Sequence, residues 1–109
     1  MDMVAKRFEV WLVNLDPTTG SEIRKTRPAL IISPDVANRH LQTVIIAPLT
    51  SAIRAYPTRV LCVFQKRHGQ IALDQLRAAD KIRFVKRLGK MDEKTSRIVC
   101  DLLRELFRY

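Results

Sequence analysis

The sequence predicts one mostly β domain that ends in a single helix, arranged as a small, strongly bent sheet or barrel whose opening the helix covers. Three observations predict this fold. Short runs rich in β-branched and apolar residues recur along most of the chain, and proline, glycine or polar segments separate them. Only the last segment changes to helical spacing. The length of 109 residues suits one domain, residues 1–109, with no second core.

The first half of the chain predicts four strands, at residues 8–15, 28–33, 43–47 and 58–64. The second and third of these runs are apolar at consecutive positions, so we expect them to be central strands buried on both faces. A polar loop at 18–27 joins the first two strands. A single helical turn is predicted at 35–40.

The second half predicts shorter strands and the helix. A polar turn at 65–69 is followed by an extended run at 70–73 and by strands near 76–79 and 85–88, with Gly89 as a break. Asp92 is a plausible N-cap for the helix that follows. Apolar residues then recur at helical spacing: Ile98, Val99, Leu102, Leu103, Leu106 and Phe107.

The composition points to a polyanionic partner. Twenty Lys and Arg against eleven acids give a net charge of +9, which favours phosphate contacts and counterion release. A basic, solvated surface without such a partner remains the alternative. The chain shows neither a signal peptide nor an apolar span of about 18 residues, so we expect a cytoplasmic protein with no membrane contact.

The cysteines and histidines do not predict a metal site. Cys62 and Cys100 lie in apolar runs without CxxC spacing, and neither His40 nor His68 completes a zinc-binding pattern with them. We therefore expect free, core-packed thiols, no metal and no cofactor.

Polar clusters at strand ends are the candidate functional residues, because strand ends hold loop residues on a rigid frame. Arg27 precedes Pro28, which favours an extended backbone from which its guanidinium can grip a phosphate. A salt bridge to Asp16 or Asp74 is the alternative. Thr50, followed by Ser51, can donate to a phosphoryl oxygen or simply stabilise a turn.

Two further clusters are weaker candidates. Glu22, after Gly20 and Ser21, is either a solvated loop acid or a catalytic base. Asp74 and Gln75 either cap a turn or contact a nucleotide. The sequence has no histidine pair, Walker loop, GxSxG or carboxylate cluster for two metals. An enzyme acting on RNA would therefore use Arg, Thr and a carboxylate, with the substrate's own 2′-hydroxyl as nucleophile.

Several linked motifs resemble the MazF/PemK toxins of type II toxin–antitoxin systems. They are VWLVNLDPTTGSE at 10–22, TRPAL at 26–30, APLTS at 47–51 and ALDQ at 72–75. The resemblance spans residues 8–107. It implies an SH3-like barrel of the plasmid-maintenance-toxin type, a homodimer, and metal-independent, sequence-selective cleavage of single-stranded mRNA. It also implies inhibition by an acidic, MazE-like antitoxin that covers the RNA groove.

The resemblance assigns roles to the candidate residues. It implies that Arg27 and Thr50 carry cleavage, that Glu22 is the proposed base, and that Asp74 and Gln75 lie near the substrate. Three positions depart from the pattern. Some members have histidine in place of Ser21 and arginine in place of Ala72, and a glycine often stands where this chain has Phe8. The remaining residues that we expect to contact RNA are Ser21, Arg24, Lys25, Ser51, Arg54, Lys86 and Arg87.

Two other functions fit the sequence. A CcdB-like toxin of the same fold would poison gyrase by protein contact through the C-terminal helix, and Arg27 would be dispensable. A non-catalytic nucleic-acid-binding module would use the charge of +9 for affinity and would cut nothing.

Overall fold

The computed structural model describes residues 3–109, which form a seven-stranded antiparallel sheet and two α-helices. The strands are β1 (Glu9–Asn14), β2 (Thr26–Ile31), β3 (Thr43–Thr50), β4 (Arg59–Phe64), β5 (Arg67–Ala72), β6 (Arg77–Asp80) and β7 (Phe84–Lys90). The helices are α1 (Asp35–His40) and α2 (Glu93–Phe107), and 3-10 turns span Leu73–Gln75 and Lys81–Arg83. The predicted class, mostly β with a C-terminal helix, is confirmed.

The sheet curls into a half-barrel because β3 belongs to both of its halves. The strand order is β4-β5-β3-β2-β1-β7, and β6 also pairs with β3. The first part of β3 pairs with β6 and β2, whereas Leu49 and Thr50 at its end pair with β5. The end of β3 therefore sits where the two halves of the sheet meet.

Apolar side chains cover both faces of the sheet, as the runs in β2 and β3 predicted. One cluster contains Trp11, Val13 and Ile31. The other contains Val10 and Leu30 and lies against α2. The alternation along β1 and β2 assigns neighbouring residues to opposite clusters, so a shift of one residue would exchange the two faces.

Helix α2 begins as predicted, since the Asp92 carboxylate accepts a hydrogen bond from the Thr95 amide at 2.9 Å. Val99 is fully buried, and Leu102 and Leu103 pack against the same cluster. The expected apolar face is only partly covered, however: Ile98 is 46% exposed and Phe107 is 74% exposed.

Two local predictions are wrong. Gly89 does not break β7 but lies within it, beneath the Phe64 ring, where an added Cβ would be 3.1 Å from Phe64 Cζ. The predicted turn at 65–69 is shorter, because Gln65 and Lys66 alone take positive φ angles of 50° and 64°. Such two-residue turns match the twist of a hairpin, so β5 resumes at Arg67.

Across residues 3–109, no helix has the length and apolar character required to cross a bilayer. Cys62 and Cys100 are free thiols. Cys62 is buried as expected, but Cys100 is only partly covered.

Candidate active site

A cleft of about 440 Å³ opens between β2, the end of β3 and the β4–β5 hairpin. We call it the Arg27 cleft. Pro28, Leu49, Cys62, Phe64 and Gly69 form its less polar lining. Its polar lining consists of Arg27, Thr50, Ser51, Gln65, Arg67 and His68. The structure thus brings the two leading sequence candidates, Arg27 and Thr50, into one cleft from neighbouring strands.

Arg27 enters this cleft without the acidic partners that its sequence position allowed. Its Nε donates a hydrogen bond to the Arg24 carbonyl oxygen at 2.8 Å, which fixes one side of the guanidinium. Asp16 instead accepts from the Lys25 amide, and Asp74 binds Arg59. The guanidinium is therefore anchored to backbone, a geometry suited to gripping an anion.

The Thr50 hydroxyl has one of its two expected roles, the stabilisation of a turn. The side chain is buried, and Oγ1 accepts a hydrogen bond from the Ala52 amide at 3.1 Å, which stabilises the turn after β3. Because this bond uses a lone pair, the hydroxyl proton remains available to donate into the cleft. Ser51 follows on the same wall.

Gly69 brings β5 unusually close to Thr50. A Cβ at Gly69 would lie 2.6 Å from the Thr50 carbonyl oxygen, nearer than side chains normally allow. The neighbouring residue Gln70 is the register partner of Thr50. Gly69 therefore sets the separation of β3 and β5 at the cleft.

Glu22 lies outside the Arg27 cleft, in a second cleft of about 320 Å³ that Ser21, Asp74 and Gln75 also line. We call this the loop cleft. The Glu22 carboxylate accepts hydrogen bonds from the amide and hydroxyl of Thr19, at 2.6 and 3.1 Å. These bonds hold the pKa of the exposed Glu22 below its usual value. It is thus ionised near neutrality but a weaker base than an unbonded glutamate.

Asp74 is committed to an ion pair. Its oxygens accept from Arg59 Nε at 2.7 Å and Nη2 at 3.3 Å, and the Thr58 hydroxyl also donates to it. Burial alone would raise the Asp74 pKa, but the Arg59 and Thr58 bonds hold it below its usual value. The Arg59 side chain is only 6% exposed. Asp74 therefore holds Thr58 and Arg59 in place at the start of β4.

Gln75 attaches the loop that carries Glu22 to the rest of the sheet. Its Oε1 accepts from the Ile23 amide at 2.7 Å, and its Nε2 donates to the Ser21 carbonyl at 3.4 Å. Both bonds hold the segment that carries Glu22.

Two basic residues of β7 differ in their availability. Lys86 is exposed. Leu12 of β1 pairs with Lys86 on one side and with Pro28 of β2 on the other. Two strand spacings of about 4.8 Å place the Lys86 backbone roughly 10 Å from that of Pro28, which lines the Arg27 cleft. Arg87 instead donates to Glu9 Oε2 at 2.6 Å, and the Glu9 side chain is only 10% exposed. Arg87 Nε is thus committed to Glu9, while the rest of the Arg87 side chain stays 50% exposed.

Three other predicted cations are exposed in loops or at a strand entry. Arg24 Nη2 donates to the Gly20 carbonyl at 3.1 Å, and Lys25 has a positive φ of 68°. Arg54 lies on the loop after β3, where Gln70 bonds both its amide and its carbonyl, at 3.1 and 2.9 Å. None of these three residues forms an ion pair within the described part of the chain.

The sequence predicts only a turn at Gln65, Arg67 and His68 and does not identify them as site residues. The folded hairpin brings them to the Arg27 cleft. A cluster of Lys, Arg and His in a hairpin turn of a basic chain was the available signal. Within residues 3–109, no three His, Cys, Asp or Glu side chains are grouped so as to hold a metal ion.

Comparisons with known proteins agree with this architecture. Residues 6–107 match the family described as PemK-like, MazF-like toxin of type II toxin–antitoxin system. Endoribonuclease EndoA of Bacillus subtilis is 35% identical over 99 residues, covering 84% of each chain. Endoribonuclease PemK of Escherichia coli is 37% identical over 94 residues, covering 81% of this chain and 71% of PemK.

Solved structures give the same result. Crystalline MazF from Deinococcus radiodurans superposes with a TM-score of 0.86 at 25% identity, over 99% of this chain and 100% of that one. A MazE–MazF structure from the same organism gives 0.78 at 26% identity, over 96% of both chains. The predicted plasmid-maintenance-toxin fold is confirmed.

Proposed function

The chain belongs to the PemK-like, MazF-like toxins of type II toxin–antitoxin systems, and from this premise we propose that it is an endoribonuclease that cuts single-stranded mRNA in the cytoplasm. Its relatives EndoA and PemK are endoribonucleases, which favours cleavage over gyrase poisoning or simple RNA binding. The observation that carries the proposal is the cleft shared by Arg27 and Thr50.

In the proposed mechanism, the scissile phosphate binds in the Arg27 cleft. Arg27 holds the phosphoryl oxygens and stabilises the added charge of the transition state, because its backbone anchor leaves nitrogens free to donate. The Thr50 hydroxyl, with Ser51, donates to a phosphoryl oxygen. The 2′-oxygen attacks phosphorus, and the products are a 2′,3′-cyclic phosphate and a 5′-hydroxyl.

Glu22 is the proposed acceptor of the 2′-hydroxyl proton. Its carboxylate lies in the loop cleft, so this role requires that the loop moves toward the Arg27 cleft when the substrate binds. The loop is exposed, and the Gln75 bonds to Ile23 and Ser21 form its attachment to the barrel. A Glu22→Gln variant should retain RNA binding and lose cleavage rate.

RNA is gripped by exposed cations and loop groups around the two clefts. Each phosphate that these residues neutralise should steepen the salt dependence of binding. Asp74, Gln75 and Arg87 act chiefly by positioning neighbouring residues, because all three are already bonded within the protein. The proposed direct contacts are Ser21, Arg24, Lys25, Ser51, Arg54 and Lys86.

The test is cleavage of a defined RNA library by purified protein in EDTA, with the product ends mapped and chemically identified. We expect cutting in EDTA, cyclic phosphate ends, and no cutting where the nucleotide 5′ to the scissile bond carries a 2′-deoxyribose. Arg27→Ala should lower the rate by about 10²–10³-fold. Arg97→Ala, on the exposed face of α2, is the matched control and should cut normally.

Loss of activity in EDTA would refute the metal-independent scheme. A loss of less than about tenfold in Arg27→Ala would remove Arg27 from the centre of the mechanism, since a preorganised donor contributes far more.

We also propose that an acidic, MazE-like antitoxin covers the RNA-binding clefts. MazF of Deinococcus radiodurans has been solved with MazE, and a net charge of +9 suits an acidic segment. An antitoxin encoded beside this chain should bind it and compete with RNA, and its association should weaken with salt. Simultaneous binding of RNA and antitoxin would contradict the shared site.

A homodimer is the proposed assembly, formed through an apolar strip of edge strand β4 and helix α2. Leu61 is 69% exposed, and it lines one surface hollow with Ile98 and Leu102. Leu106, one helical turn beyond Leu102, extends the strip. Sedimentation should show that Leu61→Glu yields monomers, whereas Ile82→Glu, at a site that is 88% exposed, leaves the dimer intact. A Leu61→Glu dimer would contradict this interface.

A further inference from the structure

The Arg27 cleft contains side chains that can bind a phosphate, but the proposed cleavage also needs a group that protonates the leaving oxygen. None of the residues that line it carries a carboxylate. Arginine seldom gives up its proton, because its pKa exceeds about 12. Burial raises the pKa of the Cys62 thiol to about 11, so it too is a poor donor near neutrality. The remaining titratable side chain in the lining is the His68 imidazole.

His68 occupies a defined place beside the phosphate ligands. It is the second residue of β5, paired with Val63 across the hairpin. The next residue is Gly69, whose close approach to the Thr50 carbonyl fixes β5 against β3. The His68 side chain is exposed, at the rim where the Arg27 cleft meets a second hollow. An imidazole there can reach an RNA substrate that lies in the cleft.

We propose that His68 is the general acid that protonates the 5′-oxygen leaving group. The inference rests on the proposed ribonuclease function and adds a catalytic residue to it. As the 2′-oxygen forms its bond to phosphorus, the P–O5′ bond breaks and its electron pair stays on O5′. The imidazolium gives its N–H proton to O5′, while the 2′-hydroxyl proton goes to the base, Glu22. Solvent then reprotonates the imidazole and deprotonates the base.

This role predicts a dependence on pH. Only the imidazolium form of the His68 ring can donate the proton to O5′. The titratable and charged groups that line the two hollows around His68 are Arg27, Arg67, Cys62, Asp92 and Lys94. The logarithm of the cleavage rate should therefore show a downward change of slope as pH rises and the imidazolium is lost.

The first experiment measures single-turnover cleavage against pH for the full chain and for His68→Gln. The variant should be about 10²–10⁴-fold slower at neutral pH, the usual contribution of a general acid, and should lack the change of slope. His40→Gln is the matched control, because the exposed His40 ends α1 and lines neither cleft. It should keep both the rate and the profile of the unmodified chain.

The second experiment uses RNA with sulfur in place of the bridging 5′-oxygen. A thiolate leaves without protonation, so the unmodified chain and His68→Gln should cut this substrate at equal rates. A deficit that persists on the sulfur substrate, or an unchanged slope in His68→Gln on normal RNA, would overturn the assignment. Failure of the unmodified chain to cut any RNA would instead overturn the ribonuclease function itself.

Discussion

Replacement of Gly69 by alanine tests whether the close approach of β5 to β3 positions the cleft. The added Cβ would stand 2.6 Å from the Thr50 carbonyl oxygen and 3.4 Å from its carbon. Ordinary carbon–oxygen contacts between strands are about 3.3–3.6 Å, so the strands must separate by roughly 0.7–1 Å. The obstructing atoms belong to the backbone, which cannot rotate away as a side chain can.

The expected cost is about 1–3 kcal/mol of the free energy of unfolding, as for other overpacked sites. Because β5 carries His68 and β3 carries Thr50, the same shift should lower the cleavage rate. A misplacement of about 1 Å costs on the order of 10²-fold. Urea denaturation measures the first effect, and single-turnover cleavage, well below the melting temperature, measures the second.

Gly89→Ala supplies the comparison. Its Cβ would meet Phe64 Cζ at 3.1 Å, and an aromatic ring can give by a few tenths of an ångström. We expect a smaller loss of stability than in Gly69→Ala. A Gly69→Ala protein with unchanged stability and unchanged cleavage rate would refute the reasoning.

Three further predictions concern Glu9, Lys86 and Gln75. Burial alone would raise the Glu9 pKa, but hydrogen bonds from the Lys6 amide, Arg87 and Trp11 hold it below its usual value of 4.5. A carboxyl whose pKa is lower in the folded protein than in the unfolded chain stabilises the fold when the pH is above the unfolded-state pKa. The free energy of unfolding should therefore decrease as the pH falls below about 4.5. Urea titrations at pH 7 should show that Glu9→Gln lowers the free energy of unfolding by about 1–3 kcal/mol. The variant should also lose less stability than the unmodified chain when the pH is lowered. An unchanged dependence of stability on acid pH would contradict this role of Glu9. Lys86→Ala should reduce the slope of log affinity against log salt by about 1, measured by RNA titration, and an equal slope would exclude a phosphate contact. Gln75→Ala should cost about 1 kcal/mol by thermal unfolding and slow cleavage, and normal cleavage would show that the loop needs no such attachment.

The sequence located the leading pair of site residues but not their surroundings. Arg27 before Pro28 and Thr50 after an apolar run were both recognisable as polar groups at strand ends. Their proximity follows from the pairing of β2 with β3. The partners of Asp74 and Arg87 were not recognisable, because Arg59 and Glu9 are distant in sequence and reach them only across paired strands. The resemblance implied that Glu22 acts on the same phosphate as Arg27, whereas the fold assigns it to a different cleft.

The sequence alone determined the strands, the helix with its Asp92 cap, the basic charge and the family motifs. These features depend only on the residue types and on their spacing along the chain. Tertiary structure decided which residues meet. His68 in a polar turn reaches the Arg27 cleft because the β4–β5 hairpin folds beside β3. Gly89, a breaker by residue type, stays in a strand because the Phe64 ring occupies the place of its side chain. Contacts between distant segments depend on register and curvature, which no local pattern specifies.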